Sequence, residues 1–348
     1  MKRLPLKTAT EMGRLVVPLG KYLMSRARGR KVPLAVTLAL TNRCNFRCVY
    51  CHVPDLEHGE METAEWLRAI DELSAAGMIR ASVMGGEPLL RPDCGEVIRH
   101  LKKRGVHASM NSNGWLVENY IEDVAQLDVM CISIDGPEAI HDTQRRKGSY
   151  AKAVRAIELA KSRGVQVVTM TVVTPRGRKT IDHVLQMAKD MGFRAHFHLE
   201  HDADCDADKP ISPEISDTEV RGLAGLLLRR KREGWPVGPS TTFLNALAAR
   251  GRRLHSCDTC FASRYFCHVM PDGTVVPCLL THREPGAVSG RQHGYVEALN
   301  LLPQPQASGC SCEPLQEMNM MLNFRPEVVT NAFGLTGRSS GAGGAGLG

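Results

Sequence analysis

Aromatic residues are scarce in this chain: three Trp, six Tyr and eight Phe among 348 residues. A surface that binds single-stranded nucleic acid combines basic side chains with stacking rings. No such patch follows residue 33, which makes nucleic acid a poor partner. Long apolar runs are lacking too, and none approaches the roughly 18 residues needed to cross a bilayer. The N-terminus lacks the signal-peptide order of charge, apolar core and small-residue cleavage site. The expected location is the cytoplasm, where thiols stay reduced. Acids are nearly missing from residues 1–33, which hold nine Lys or Arg against Glu11, a net of +8. Since the whole chain is +7, the remainder sums to −1. The positive charge belongs to the leader.

What is present is an ordinary globular composition, 43% hydrophobic and 23% charged, with length for one large domain and a smaller one. Short apolar runs at 33–41, 80–86, 106–114, 128–136, 165–174 and 194–200 read as strands. Helical periodicity fills 63–78, 93–105, 116–127, 149–164 and 180–192, with Thr63 as an N-cap and Gly77 as a stop. This alternation predicts an α/β fold, a parallel sheet with right-handed crossovers curled into a partial (β/α)6 barrel. Functional groups then belong at the C-terminal ends of the strands. The expected units are a basic amphipathic leader (1–33), the barrel (34–200), a helical connector (201–252), a cysteine-rich extension (253–324) and a tail (325–348). The tail's Gly-rich end is expected to be disordered.

The loop TNRCNFRCVYCHVP, residues 41–54, places Cys44, Cys48 and Cys51 directly after the first strand. Thiolates suit soft iron and zinc centres. A structural zinc site closes with a fourth protein ligand, for which His52 is available. A cubane [4Fe–4S] cluster normally takes four cysteines, so three would leave one iron open to an outside ligand. Cys94 and Cys131 stand alone and read as inert buried thiols.

With Tyr50 ahead of its last cysteine, this loop resembles that of the radical S-adenosylmethionine superfamily. There the open iron is chelated by the amino and carboxylate groups of S-adenosylmethionine. The resemblance implies reductive cleavage of the sulfonium to methionine and a 5′-deoxyadenosyl radical, with the protein positioning the cofactor. It also implies reduced flavodoxin or ferredoxin as electron donor. Further segments carry the likeness, each at a strand end. Gly85, Gly86, Glu87 and Pro88 (GGEP) would bind the methionine amino group, the glycines by close backbone approach and Glu87 by complementing the ammonium. A plain strand-to-helix turn is the alternative. Asn111 and Asn113 (NSNG) match the ribose-contacting segment. Ser133 and Asp135 (SIDGP) follow, with Ser133 facing the ribose or carboxylate. Arg145, four residues after His141, is preferred over Arg146 as the planar fork for the methionine carboxylate. Val173, in TVVT, would flank adenine.

The segment CDTCFASRYFCHVMPDGTVVPC, residues 257–278, and CSC at 310–312 resemble the SPASM or shorter twitch extension of the same family. PDGTVVPC is a hairpin signal in its own right. The resemblance implies at least one auxiliary [4Fe–4S] cluster, with two open. The expected ligands are Cys260, Cys278, Cys310 and Cys312, with Cys257 and Cys267 competing for places and a zinc knob as the alternative.

The sixth strand puts His196, His198 and Glu200 on one face, followed by His201, Asp202, Asp204 and Cys205. This is a place for a general base, a radical-quenching thiol or a further ligand, and His198 and Cys205 are the catalytic candidates. A solvated acidic loop is the alternative. In the leader, Met12, Leu15, Val16, Leu19 and Leu23 share a helical face interrupted by Pro18 and followed by SRARGRK, which suits an anionic membrane surface. A helix docked on the barrel is the alternative. The leader and STTFLNALAARGRRLHSC resemble radical enzymes that adenosylate hopanoid lipids, while the body is similar to peptide- and tetrapyrrole-modifying members. The expected function is therefore functionalisation of an unactivated carbon in a lipid, isoprenoid-like or peptide substrate, with a tetrapyrrole as alternative. The non-enzymatic alternative is an iron–sulfur electron carrier or scaffold.

Overall fold

A computed structural model of the chain describes residues 20, 22–56, 59–173, 177–199, 216–251, 260–278, 286–305 and 312–328. The candidates Cys205, Cys257 and Cys310, residues 1–19 of the leader, Thr174 and the loop from Glu200 to Asp204 lie outside the described residues. Residues 22–27 form a helical turn, α1. The body then alternates β1 (Ala35–Thr41), α2 (Thr63–Ala76), β2 (Arg80–Gly85), α3 (Cys94–Lys103), β3 (His107–Ser112), α4 (Ile121–Val124), β4 (Val129–Ser133), α5 (Glu138–Gln144), α6 (Ser149–Ser162), β5 (Gln166–Val173), α7 (Gly177–Met191) and β6 (Arg194–Leu199). Two connecting helices follow, α8 (Asp217–Arg232) and α9 (Thr241–Arg250). The C-terminal part carries β7 (Phe266–Val269), β8 (Thr274–Val276), β9 (Val288–Ser289), α10 (Gly290–His293), α11 (Tyr295–Leu301) and α12 (Glu313–Leu322).

Among the described residues the strands form one sheet, ordered β6-β5-β4-β3-β2-β1-β7-β8-β9. β1 to β6 are parallel, as the alternation predicts. The Asp272-Gly273 hairpin also forms, and its first strand continues the sheet by pairing parallel to β1, Val36 against Cys267. The cysteine-rich extension is thus built onto the barrel's own edge.

Side-chain alternation assigns the two faces of the sheet. Ala81, Val83, Ala108, Met110, Met130, Ile132, Ala195 and Phe197 enter the large apolar core. Ser82, Ser109, Asn111, Ser133, His196 and His198 are the alternate residues and share the inner face. α2 shows how a covering helix is set. Glu62 and Glu65 form the capping box at its start, and Thr63, expected as the cap, instead bonds Asp93. Trp66, Ala69, Ile70 and Leu73 are its buried stripe, and Gly77 ends it at φ 123°. The helix expected over 116–127 is shorter. Residues 117–120 wind as a tighter turn before α4, which sets both Val117 and Val124 into the core.

α12 ties together β6, the start of the C-terminal extension and α1. Its first residue meets His196 of β6, Asn319 accepts from the Phe261 N–H, and the Leu322 carbonyl accepts from Tyr22. Tyr22 of α1 packs edge-on against Tyr265 at 5.0 Å. The described end of the leader therefore docks on the C-terminal extension. No helix among the described residues is long and apolar enough to cross a membrane.

Candidate functional site

The thiol loop leaves β1 at Thr41 and is gripped from below by the end of β2. The Gly86 N–H donates to the Thr41 carbonyl at 2.7 Å and the Glu87 N–H to the Arg43 carbonyl at 2.9 Å. Gly85 takes φ 137°, and a Cβ there would stand 2.2 Å from the Thr41 oxygen. At Gly86 a Cβ would stand 2.2 Å from the Arg43 oxygen. Only glycine allows this backbone contact. Pro88 follows at the start of a buried turn.

The loop is tied from its other sides as well. Phe46 meets Trp115 edge-on at 5.7 Å, and Arg146 lies 4.2 Å over the Trp115 ring while donating to the Asn45 carbonyl. Asn113 donates to Asn45 Oδ1 at 2.8 Å and lies 3.9 Å from the Cys44 sulfur. The Val49 N–H donates to the Gln144 carbonyl.

Cys44, Cys48 and Cys51 are half-buried and free. Burial pushes all three thiols up, Cys48 to about 11, so bare thiolates are disfavoured there. A cationic centre would reverse that balance. Among the described residues no three donors converge as they would around a single metal ion. His52 turns its Nδ1 toward Asp55, 3.5 Å away, and its buried Nε2 has no hydrogen-bond partner among the described residues. Three thiols spread along one loop fit a cubane, which offers each a separate iron.

Beside the loop, Glu87 is fully buried. Its carboxylate accepts from the Asn113 N–H at 2.8 Å, the Ser112 hydroxyl and the Leu89 N–H. Burial pushes it up to about 7 against those bonds. Expected to meet an ammonium, it instead fixes the end of β3, because the chain supplies its donors. Asn111 and Ser133 stand half-buried on the inner face.

Asp135 is the hub of the β4 end. Arg145 forks onto it at 2.6 and 3.0 Å, Tyr50 donates at 2.5 Å, and the Val172 N–H donates at 3.1 Å. Burial opposes ionisation of Asp135, but Arg145's charge and bonds outweigh it, so the carboxyl is held below the usual range. Arg145, expected to fork a ligand carboxylate, has its planar edge taken by Asp135. His141 is a site residue that motif reading passed over. Its Nδ1 accepts from the Asp135 N–H, and burial pushes the ring down to about 4.

Other expectations are corrected by alternation. Val173 lies in the outer apolar core, and its neighbour Val172 is the residue on the inner face. Cys267 likewise packs in that core, its thiol pushed up to about 12 by burial, on the opposite face of β7 from Phe266. Cys260 and Cys278 share the small apolar cluster with Phe266 and Tyr265. Cys312 caps α12. His198 is on the inner face opposite Val172, where burial pushes it down. The pairing of His196 with Glu313, 2.7 Å apart, had no signal in the sequence, because the two residues are over a hundred positions apart.

Residues 38–191 match the family model described as "Radical SAM superfamily". The chain is similar to PqqA peptide cyclase of Ruegeria pomeroyi, 28% identical over 170 residues that cover 47% of this chain and 46% of that protein. It is also similar to mycofactocin maturase MftC of Mycobacterium ulcerans, 30% identical over 261 residues that cover 72% of this chain and 69% of that one. The chain thus spans about half the length of some curated relatives and over two thirds of others. Among solved structures, Streptococcus suis SuiB bound to precursor peptide SuiA superposes with a TM-score of 0.67 at 12% identity, over 80% of this chain and 68% of that one. That likeness is one of fold, the partial barrel. Cysteine loop, strand-end order and a relative matched over most of both lengths agree: the chain belongs to the radical S-adenosylmethionine superfamily.

Proposed function

We propose that the chain is an enzyme that cleaves S-adenosylmethionine reductively and functionalises an unactivated carbon of a peptide substrate. The observation that carries this is the thiol loop clamped at Gly85 and Gly86, with Glu87, Asn113, Asp135 and Arg145 organised on the adjoining strand ends. Cys44, Cys48 and Cys51 would hold a [4Fe–4S] cluster, and the ends of β2 to β5 would hold S-adenosylmethionine. Bound there, the two groups would supply a 5′-deoxyadenosyl radical able to take hydrogen from carbon. The chain's own part is to desolvate the thiols, to fix Tyr50 through Asp135, and to present Asn111, Ser133 and Val172 on the inner face. Val49 is exposed between two of the thiols, Arg47 is exposed on the same loop, and Arg146 is exposed while bonded to it at Asn45. This basic rim suits an acidic flavodoxin or ferredoxin.

The peptide class is supported by a relative named for peptide cyclisation, while relatives named for haem and Fe-coproporphyrin III synthesis support a tetrapyrrole as the second reading. Cys260, Cys278 and Cys312 are assigned to an auxiliary cluster, supported by the packing of Cys260 and Cys278 on one small apolar cluster.

Anaerobically reconstituted protein given dithionite and S-adenosylmethionine is expected to form 5′-deoxyadenosine, and Cys48→Ala to abolish it. Fully iron-loaded protein that forms none would favour an electron carrier. A rise in 5′-deoxyadenosine with a random peptide library, and none with phosphatidylglycerol vesicles containing isoprenoid lipid, separates a peptide from a lipid substrate.

A further inference from the structure

A third buried acid, besides Glu87 and Asp135, lies away from the thiol loop. Glu313, the first residue of α12, is 3% exposed. His196 Nδ1 lies 2.7 Å from its Oε1. The other edge of the ring is walled by Gly238, where a Cβ would stand 2.4 Å from Nε2, so the imidazole is held facing the carboxylate. Burial alone would strip His196 of its proton, but the charge and bond of Glu313 outweigh it and raise the imidazole above its ordinary value. A tether between α12 and β6 needs only this one oxygen.

Glu313 Oε2 is buried and has no hydrogen-bond partner among the described residues. A buried acceptor left without a donor is unfavourable, because it has given up its water without replacement. His196 and His198 are alternate residues on the inner face of β6, so the carboxylate that His196 meets lies against that face. His198 is in register with Val172, whose N–H is held by Asp135, so this corner adjoins the proposed cofactor site.

The neighbouring charged groups are otherwise engaged. Lys231 donates to the carbonyls of Val237 and Pro239. Glu317, one turn along α12, accepts from the Ser240 N–H, and Glu327 from those of Thr241 and Thr242. Arg194 is exposed at the start of β6 and has a partner. None of these cations supplies the donor that Oε2 lacks.

We infer that Glu313 Oε2, oriented by His196, binds a basic nitrogen of the substrate, an ammonium or guanidinium group whose peptide origin rests on the function proposed above. A charge-assisted bond of this kind is among the stronger ones available to a buried carboxylate. The extension would then select substrate as well as carry cysteines.

The test uses the full, iron-loaded chain without S-adenosylmethionine, so it is independent of radical formation. n-Butylguanidinium, n-butylammonium and neutral n-butylurea are titrated while the thermal midpoint is followed. A cationic probe is expected to raise the midpoint of the wild type but not of Glu313→Gln, and butylurea to leave both unchanged. Preference between the two cations identifies the nitrogen. Equal responses in wild type and Glu313→Gln, or no response in wild type, would overturn the assignment. An equal response to butylurea would overturn the basic class. If Glu313→Gln does not fold, Glu313→Asp, which withdraws the carboxyl by one methylene, must weaken the cationic probe on the order of tenfold, and an unchanged affinity refutes the site.

Discussion

The thiol loop after β1 holds three cysteines in eight residues and the segment around β7 and β8 holds three in nineteen, and the two groups are fixed by different means. Cys44, Cys48 and Cys51 occupy one irregular loop, and its position comes from backbone contacts with Gly85 and Gly86 and from the side chains of Asn113 and Arg146. Cys267 lies within β7, where alternation decides its face, while Cys260 and Cys278 lie outside β7 and β8. Cys267 goes to the large core, while Cys260 and Cys278 go to the small cluster under Tyr265. Spacing within a loop therefore keeps thiols on one segment of backbone. Spacing across a hairpin speaks first about which side of the sheet a residue faces.

The largest expected effect tests how firmly the first region is built. Asp135→Asn leaves the Arg145 guanidinium buried without its anion and frees Tyr50. Removing one partner of a buried ion pair costs about 3–5 kcal/mol, which a urea melt would read. A loss below 1 kcal/mol would mean that Arg145 finds another partner and that the hub does not organise the loop. Next comes Gly86→Ala, whose methyl would enter the Arg43 carbonyl. Overpacking of this kind costs typically 1–3 kcal/mol, and iron retention by the thiol loop should fall with it. Full iron retention at unchanged stability would show that the clamp is dispensable.

Most of the architecture was legible because its signals are local. Six strands and their order follow from short apolar runs, and the Asp272-Gly273 turn announces its hairpin. The pairing of that hairpin with β1 was not legible, since nothing in FCHV names its partner strand. The thiols and GGEP were readable as motifs, yet the tasks of individual side chains were less so. Glu87 and Arg145 carry the chemistry to meet a zwitterionic ligand, but the structure turns both toward the chain, onto Ser112 and Asn113 and onto Asp135. Val173 was read one residue out of phase, and in a strand one residue is the difference between the inner face and the core.

A third expectation compares a buried histidine in each region. Burial pushes His141 and His268 both down from 6.5 to about 4. With the folded value depressed, the neutral ring is the form that folds. Its stabilisation is complete above pH 6.5 and is lost as pH falls from 6.5 toward 4. Each ring thus steepens the acid limb by up to about 1.4 kcal/mol per pH unit. His268 Nδ1 has no partner among the described residues, whereas His141 Nδ1 accepts from Asp135. His268→Leu should flatten the limb and keep neutral-pH stability, while His141→Leu should flatten it and also lose stability at pH 7.5. Identical profiles for the two variants would erase the distinction between the regions.

The smallest effect is the sharpest test of alternation. Cys267→Ala removes one buried sulfur from the core and costs about 1 kcal/mol, the usual loss for a methyl-sized void. If the face of the strand sorts the thiols, iron per chain stays at the wild-type level. Cys278→Ala, in the small cluster shared with Cys260, should lower it. The two substitutions delete the same atom eleven positions apart, so any difference in iron reports the side of the sheet and not the loss of a cysteine as such. Equal iron loss from both would mean that the segment rearranges around metal, with β7 twisting to bring Cys267 inward at the expense of its pairing with β1.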